Sequence, residues 1–229
     1  MTLAPLLLSL QVAFIATLLT GVIGVALAAG IARWQSRWRE WLDALFMLPL
    51  VLPPTVLGYY LIVLVGRNGA FGQWLEQTWG VVLIFSWQGA VLAASIVSLP
   101  LIYRTARAAF EEVNVSLENA GRSLGLSEWQ VFWRISLPLA WRGIVAGLML
   151  TFARAMGEFG ATLMVAGNLP GKTQTLSVAV YDAVQAGNDA QAWGLTAIIS
   201  VLCMAVLIIS GHLLRPARMR TVDQSKGKA

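Results

Sequence analysis

The chain has 229 residues, of which 58% are hydrophobic and 12% charged, with a net charge of +5. A soluble domain carries about 25% charged residues, so this composition excludes a disordered chain, a nucleic-acid-binding domain and an ordinary soluble enzyme. One cysteine, Cys203, and one histidine, His212, exclude a disulfide framework and a cysteine- or histidine-rich metal centre; neither residue is assigned any chemistry.

A membrane-spanning helix needs about 20 mostly apolar residues, and five stretches qualify. The first is Leu6–Ile31. Ala26-Leu27-Ala28 resembles a signal-peptidase site, but no Lys or Arg precedes Arg33 and the apolar run is too long for a signal peptide. The first span is therefore expected to be retained. The second is Leu42–Val65, in which Pro49, Pro53 and Pro54 are expected to kink the helix and make it a lining of a path. The third, Val81–Ala109, is longer than a span requires and reads as a lead-in plus a span.

Glu111–Pro138 is too polar to cross a membrane yet patterned for helix. Val113, Leu117, Ala120, Gly121 and Leu124 fall on one face at helical spacing. Gly125 can end that helix in the left-handed region. Ser127 with Gln130 three residues on forms a capping box for a second helix, whose apolar side is Val131, Phe132 and Ile135. Pro138 is expected to interrupt the chain before the fourth span. The small residues Ala120 and Gly121 permit close approach of another surface.

The fourth span is Leu139–Val165 and carries Arg154 and Glu158. Ionisable residues inside a membrane are costly and face protein or water. Their i, i+4 spacing predicts one helix face and mutual neutralisation; a structural pair at a gate is preferred over direct contact with a substrate. Gly157 and Gly160 are expected to let another backbone come close. Ala166–Thr173 nearly spells a phosphate-binding P-loop, but a P-loop joins a strand to a helix in an α/β domain, and this stretch follows a membrane helix. Thr173–Ala186, interrupted by Gln174, Asp182 and Gln185, reads as a short helix that dips into the membrane or lies on it. The fifth span is Trp193–Leu214, and Thr221–Ala229 is expected to be a disordered tail, leaving 1–220 as one membrane domain.

Basic residues orient the spans. Arg33, Arg37 and Arg39, then Arg104, Arg107, Arg122, Arg134 and Arg142, then Arg215, Arg218, Arg220, Lys226 and Lys228 fall on one side, 13 of the 16. The opposite loops hold only Arg67 and Lys172. The N-terminus is thus expected outside, with the 111–138 loop and C-terminus in the cytoplasm. The basic balance is a topology signal and not a nucleic-acid one. Tryptophans at span ends, such as Trp34, Trp38, Trp41 and Trp141, suit interfacial anchoring.

Asn119-Ala120-Gly121-Arg122-Ser123-Leu124-Gly125, nine residues, then Ile135-Ser136-Leu137-Pro138 resembles the EAA loop of ABC-importer permeases. The start departs from Glu-Ala-Ala: Asn119 stands at the acidic position, Gly121 at the second alanine, and Glu118 one residue early. Gly157-Glu158-Phe159-Gly160 with Thr162 resembles an element of both the sulfate and the molybdate permeases of that family, and Leu52-Pro53-Pro54-Thr55-Val56-Leu57-Gly58-Tyr59 and Asn168-Leu169-Pro170-Gly171 look like the molybdate permeases in particular. The resemblance implies an all-α, multi-pass inner-membrane protein of the type I importer fold, with about five spans, a short outer helix and a two-helix coupling loop.

By that resemblance, Glu118, Asn119, Ala120, Gly121, Arg122, Leu124, Gly125, Ile135, Leu137 and Pro138 would couple to an ATPase. Pro49, Pro53, Pro54, Gly58, Arg154, Gly157, Glu158, Phe159, Gly160 and Thr162 would form the pathway or gate. The implied partners are a cytoplasmic ATPase homodimer, a periplasmic molybdate-binding protein, a second copy of the chain and the lipid bilayer. No cofactor, metal or catalytic residue is implied. A sulfate, thiosulfate or tungstate permease is the alternative within the family. A membrane enzyme lacks any nucleophile–base pair here, and a scaffold would need neither a docking loop nor kinked spans.

Overall fold

In the computed structural model, which describes residues 3–34 and 36–213, the apolar runs fold as helices. Lipid offers no partner for backbone N–H and C=O groups, so a spanning segment must satisfy them within itself. Among the described residues there is no strand. The calls on the tail, 221–229, lie outside the described residues.

The first helix, α1, spans Ala4–Ala32 and starts on Pro5, whose missing N–H costs nothing in a first turn. It buries small residues, including Ala13, Ala16 and Ala28, and exposes Leu7, Phe14, Leu18 and Val22. Small residues inside and large ones outside is the arrangement that lets membrane helices approach closely. They pack against α5 (Trp87–Glu111), which in turn packs on α8 (Leu137–Met156). Helices α1, α5 and α8 form the body of the molecule. Two buried hydroxyls, Thr20 and Ser98, bond back along their own helices, to Ala16 O at 2.8 Å and to Ala94 O at 2.6 Å.

The second span departs from expectation. Instead of a kink, the chain breaks into α2 (Trp38–Val51) and α3 (Pro54–Val65), bent by 109°. The cause is local. A residue before proline is pushed out of the helical region, and both Leu52 (ψ 139°) and Pro53 (ψ 138°) precede one. Two consecutive extended residues turn the axis. Pro49 is tolerated inside α2. Helix α2 has no buried residue. It is fastened to α5 by Arg107 pairing with Asp43, Arg39 pairing with Glu111 and the Tyr103 hydroxyl donating to Asp43, with half-buried Leu42, Phe46 and Met47 packed against the core.

Gly66–Gly69 leads to a helix between the second and third spans, α4 (Ala70–Trp79). Phe71, Trp74 and Leu75 at i, i+3, i+4 were its signal. The third span is as expected: Val81–Ser86 is a lead-in, and the Ser86 side chain caps α5 by accepting from Gly89 N at 3.1 Å.

The fourth span also breaks. Helix α8 stops at Met156, residues 157–159 are non-helical, and α9 covers only Gly160–Ala166. At its other end, Pro138 does not interrupt the chain. The second loop helix, α7 (Glu128–Val131), runs through a π turn, Phe132–Ser136, into α8 as one 29-residue rod. In a regular helix Pro138 would clash with the Arg134 carbonyl and leave it unbonded. The wider turn, closed by Leu137 N–H to Phe132 O, absorbs the proline.

Thr173–Ala186 holds α10 (Leu176–Gln185), too short to span, with Leu176, Val178, Ala179 and Ala183 buried in protein. Its first N–H, at Leu176, donates to Ser9 Oγ of α1 at 2.7 Å. The last helix, α11, runs from Asp189 to Leu213 and exposes Val201, Met204, Leu207, Ile208 and Ile209. Among the described residues, four helices are thus long and apolar enough to cross a membrane, and five if the bent α2–α3 pair is one span.

Candidate functional site

The two broken spans meet. Helices α3 and α9, each lying just past its break, pack on one another. Contact is backbone-close at two glycines. A Cβ on Gly160 would lie 2.6 Å from Pro54 Cβ, and one on Gly58 would lie 2.6 Å from Met164 Cβ. Pro54, Gly58 and Gly160 are therefore brought together. Gly157 is not part of that contact, since a Cβ there would meet nothing nearer than 3.8 Å. Thr162 is buried within α9, and the Phe159 ring packs against that of Tyr181 of α10, centroids 5.0 Å apart and tilted by 44°. Pro49 stands apart, inside α2, one turn before the break that Pro53 completes.

Arg154 and Glu158 pair at 2.8 Å, Nη1 to Oε2. They do not share a helix, because α8 ends between them. Arg154 sits in the last turn of α8 and Glu158 just before α9, so each charge faces the helix end it favours. Glu158 is 3% exposed and its other oxygen accepts from Ala161 N at 3.0 Å, capping α9. Ser177 Oγ donates to the Met156 carbonyl that the break frees, at 3.4 Å. The break is thus satisfied on both sides by side chains.

The polar loop holds α6 (Val115–Ser123), capped by Asn114 accepting from Ser116 N at 2.9 Å. Gly125 has φ +85°, the left-handed region where a side chain is disfavoured. The Ser127–Gln130 capping box is formed, with Ser127 N donating to Gln130 Oε1 at 2.9 Å. The predicted single apolar face of α6 does not exist as such. Val113 and Gly121 turn inward, Gly121 because Ile135 Cδ1 lies 2.6 Å from where its Cβ would be. Leu117, Ala120 and Leu124 point outward, Leu124 being 84% exposed.

The inward face is organised by Glu118, which is 5% exposed. It pairs with Arg33 at 3.3 Å and accepts from Ser136 Oγ at 2.8 Å. Arg122 binds Glu128 through two nitrogens at 2.7 and 3.1 Å and Asn119 Oδ1 at 2.7 Å, all on the surface. Hydrogen bonding to Glu128 raises the Arg122 pKa further above its ordinary value, so it remains a cation at physiological pH. Leu137 and Pro138 lie past the π turn, at the start of α8. Arg33 and Ser136 escaped the sequence reading. Arg33 counted there only as a topology charge, and no periodicity links it to Glu118, 85 residues away.

Residues 4–219 match the family described as the binding-protein-dependent transport system inner membrane component. The molybdenum transport system permease protein ModB of Escherichia coli is 44% identical over 215 residues, covering 93% of this chain and 94% of that one. The sulfate transport system permease protein CysW of Synechocystis sp. is 35% identical over 202 residues, 88% and 73% of the two chains. In fold, the chain matches an inward-facing structure of the MetNI methionine ABC transporter with a TM-score of 0.72 at 17% identity, over 92% of this chain and 93% of that one.

Proposed function

The chain belongs to the family of binding-protein-dependent transport system inner membrane components, and on that premise we propose that it is the membrane-spanning permease subunit of an ATP-driven molybdate importer. The observation that carries the reading is the inverted loop helix. An amphipathic helix buries its apolar side, yet α6 turns Leu117, Ala120 and Leu124 away from its own chain and a carboxylate toward it. Such a stripe suits the cleft of another protein, here a cytoplasmic ATPase homodimer, one subunit per permease copy. ATP hydrolysis belongs to that partner. A periplasmic molybdate-binding protein delivers the anion to the other face, and two permease copies enclose the path.

The substrate follows from the closer identity to a molybdenum permease than to a sulfate one. In this reading the anion passes the contact between α3 and α9. The Arg154–Glu158 pair is neutral as a unit, so it neither repels nor traps a dianion. Vesicles holding the permease with its ATPase and binding protein should take up molybdate only with ATP inside, and unlabelled molybdate should suppress uptake more than equimolar sulfate. Preference for sulfate would replace the substrate; uptake without ATP would remove the assignment.

The orientation has its own test. On a Cys203→Ser background, cysteines at Ala70 and Lys172 should react with an impermeant reagent from outside. Cysteines at Arg37, Glu128 and Val222 should react only from inside. Labelling of position 128 from outside would sink the docking reading, because no cytoplasmic ATPase could reach the loop.

A further inference from the structure

Arg33 stands where three parts of the chain meet. It is the residue that ends α1. Its Nη2 donates to Val113 O at 2.7 Å, in the turn between α5 and α6. Its guanidinium spans both oxygens of Glu118, Nε to Oε2 and Nη2 to Oε1, each at 3.3 Å. Ser136, in the π turn before α8, closes the set on the same carboxylate. A cleft of about 230 Å³ lies beside these groups.

We propose that Arg33 is a positioning residue of the coupling step, acting through Glu118 to make the docking loop move with α1. The inference rests on the loop being the ATPase docking element. Force applied to the outward stripe of α6 reaches the body through the covalent turns at its ends and through this anchor. The other charged contacts of the loop stay within it: Arg122 pairs with Glu128 and approaches Glu118 at 3.9 Å, but itself belongs to α6 and so makes no link to α1. Because α1 packs along α5 and α8, a loop fixed to α1 cannot swivel without carrying the body. A bidentate pair on a carboxylate this buried is also stiffer than a solvated one.

Without the anchor the loop yields to the ATPase and the gate does not follow. Hydrolysis then continues while transport falls. The complete transporter is reconstituted in vesicles, and molybdate taken up and ATP hydrolysed are measured together. Arg33→Gln should raise the ATP used per molybdate at least about fivefold, with the ATPase still co-purifying. Arg33→Lys, which supplies charge without the fork, should fall between it and the wild type. A ratio unchanged in Arg33→Gln, or ATPase and uptake falling by the same factor, overturns the proposal. Should Arg33→Gln fail to assemble, Arg33→Cys with Glu118→Cys on the Cys203→Ser background is joined by a short reducible bis-thiosulfonate linker. Linking should restore the wild-type ratio and reduction should abolish it; a linked transporter that still slips overturns the proposal. A wild-type chain that binds no ATPase overturns the docking reading and this proposal together, whereas normal wild-type transport with an unaltered Arg33→Gln overturns this proposal alone.

Discussion

Gly125→Arg is expected to insert and fold, to reach the membrane in normal amounts, and to lose transport. The backbone at Gly125 has φ +85°, and a Cβ built there meets nothing within 4 Å. The intrinsic penalty is thus the left-handed backbone alone, about 1–2 kcal/mol. A long cation at this corner projects beside the outward stripe, where the ATPase cleft is proposed to close. If it removes one well-packed contact of the interface, docking weakens by at least about 2 kcal/mol, roughly thirtyfold. Gly125→Ala carries the same backbone penalty without the bulk and should retain most transport. Uptake and ATP hydrolysis in reconstituted vesicles, with ATPase retention on purification, separate the two effects. Normal uptake by Gly125→Arg would remove this corner from the docking surface. Equal losses in Ala and Arg would assign the damage to the turn itself.

The second large effect is expected at the ion pair in the break of the fourth span, and it should be asymmetric. Glu158 is 3% exposed, while the Arg154 side chain is 32% exposed. Arg154→Gln leaves a buried carboxylate without its cation, which costs about 3–5 kcal/mol. Glu158→Gln leaves an arginine that can turn to water, and the glutamine oxygen can still accept from Ala161 N. That change should cost about 1–3 kcal/mol. The double Gln variant should be more stable than Arg154→Gln alone and should recover part of the uptake, since pairing is what the site requires. Thermal stability of the purified protein and molybdate uptake are measured for all four chains. A double variant worse than both singles would refute the pair and indicate two separate roles in the pathway.

The sequence made the helical membrane architecture legible, because an apolar run of span length has few other fates. It also located the loop corner, since Gly125 and the Ser127–Gln130 box are local chemistry that needs no knowledge of neighbours. What it missed was partly local geometry and partly contacts distant in the chain. The 109° turn at Leu52–Pro53 required following two successive pre-proline residues, beyond counting prolines in an apolar stretch. The single apolar face read for the first loop helix is divided, with Val113 and Gly121 buried and Leu117, Ala120 and Leu124 exposed. Here Glu118 is drawn in by Arg33, and rotation of the helix exposes Leu117 and Leu124. Arg154 and Glu158 were paired correctly by spacing, but the end of α8 between them was not foreseen. Their contact works across a helix break and serves to cap α9 as well as to neutralise charge.

The π turn at Phe132–Ser136 has a geometric consequence for everything beyond it. A turn closed by a bond to the fifth residue instead of the fourth inserts one residue into the coil, and each residue of an α-helix advances the azimuth by about 100°. The rod from Glu128 to Met156 therefore has two halves out of phase by roughly a quarter turn. Trp129 and Trp133 are exposed on the loop half, and the offset sets their bearing relative to Arg154 at the far end of the rod. The interval between Gly125 and Pro138 is in this sense a measure of angle as well as of length. A residue lost within it would leave hydropathy and helix content almost unchanged, while turning the loop corner relative to the break in the fourth span; Arg154 and Glu158, both beyond the turn, would be carried round together.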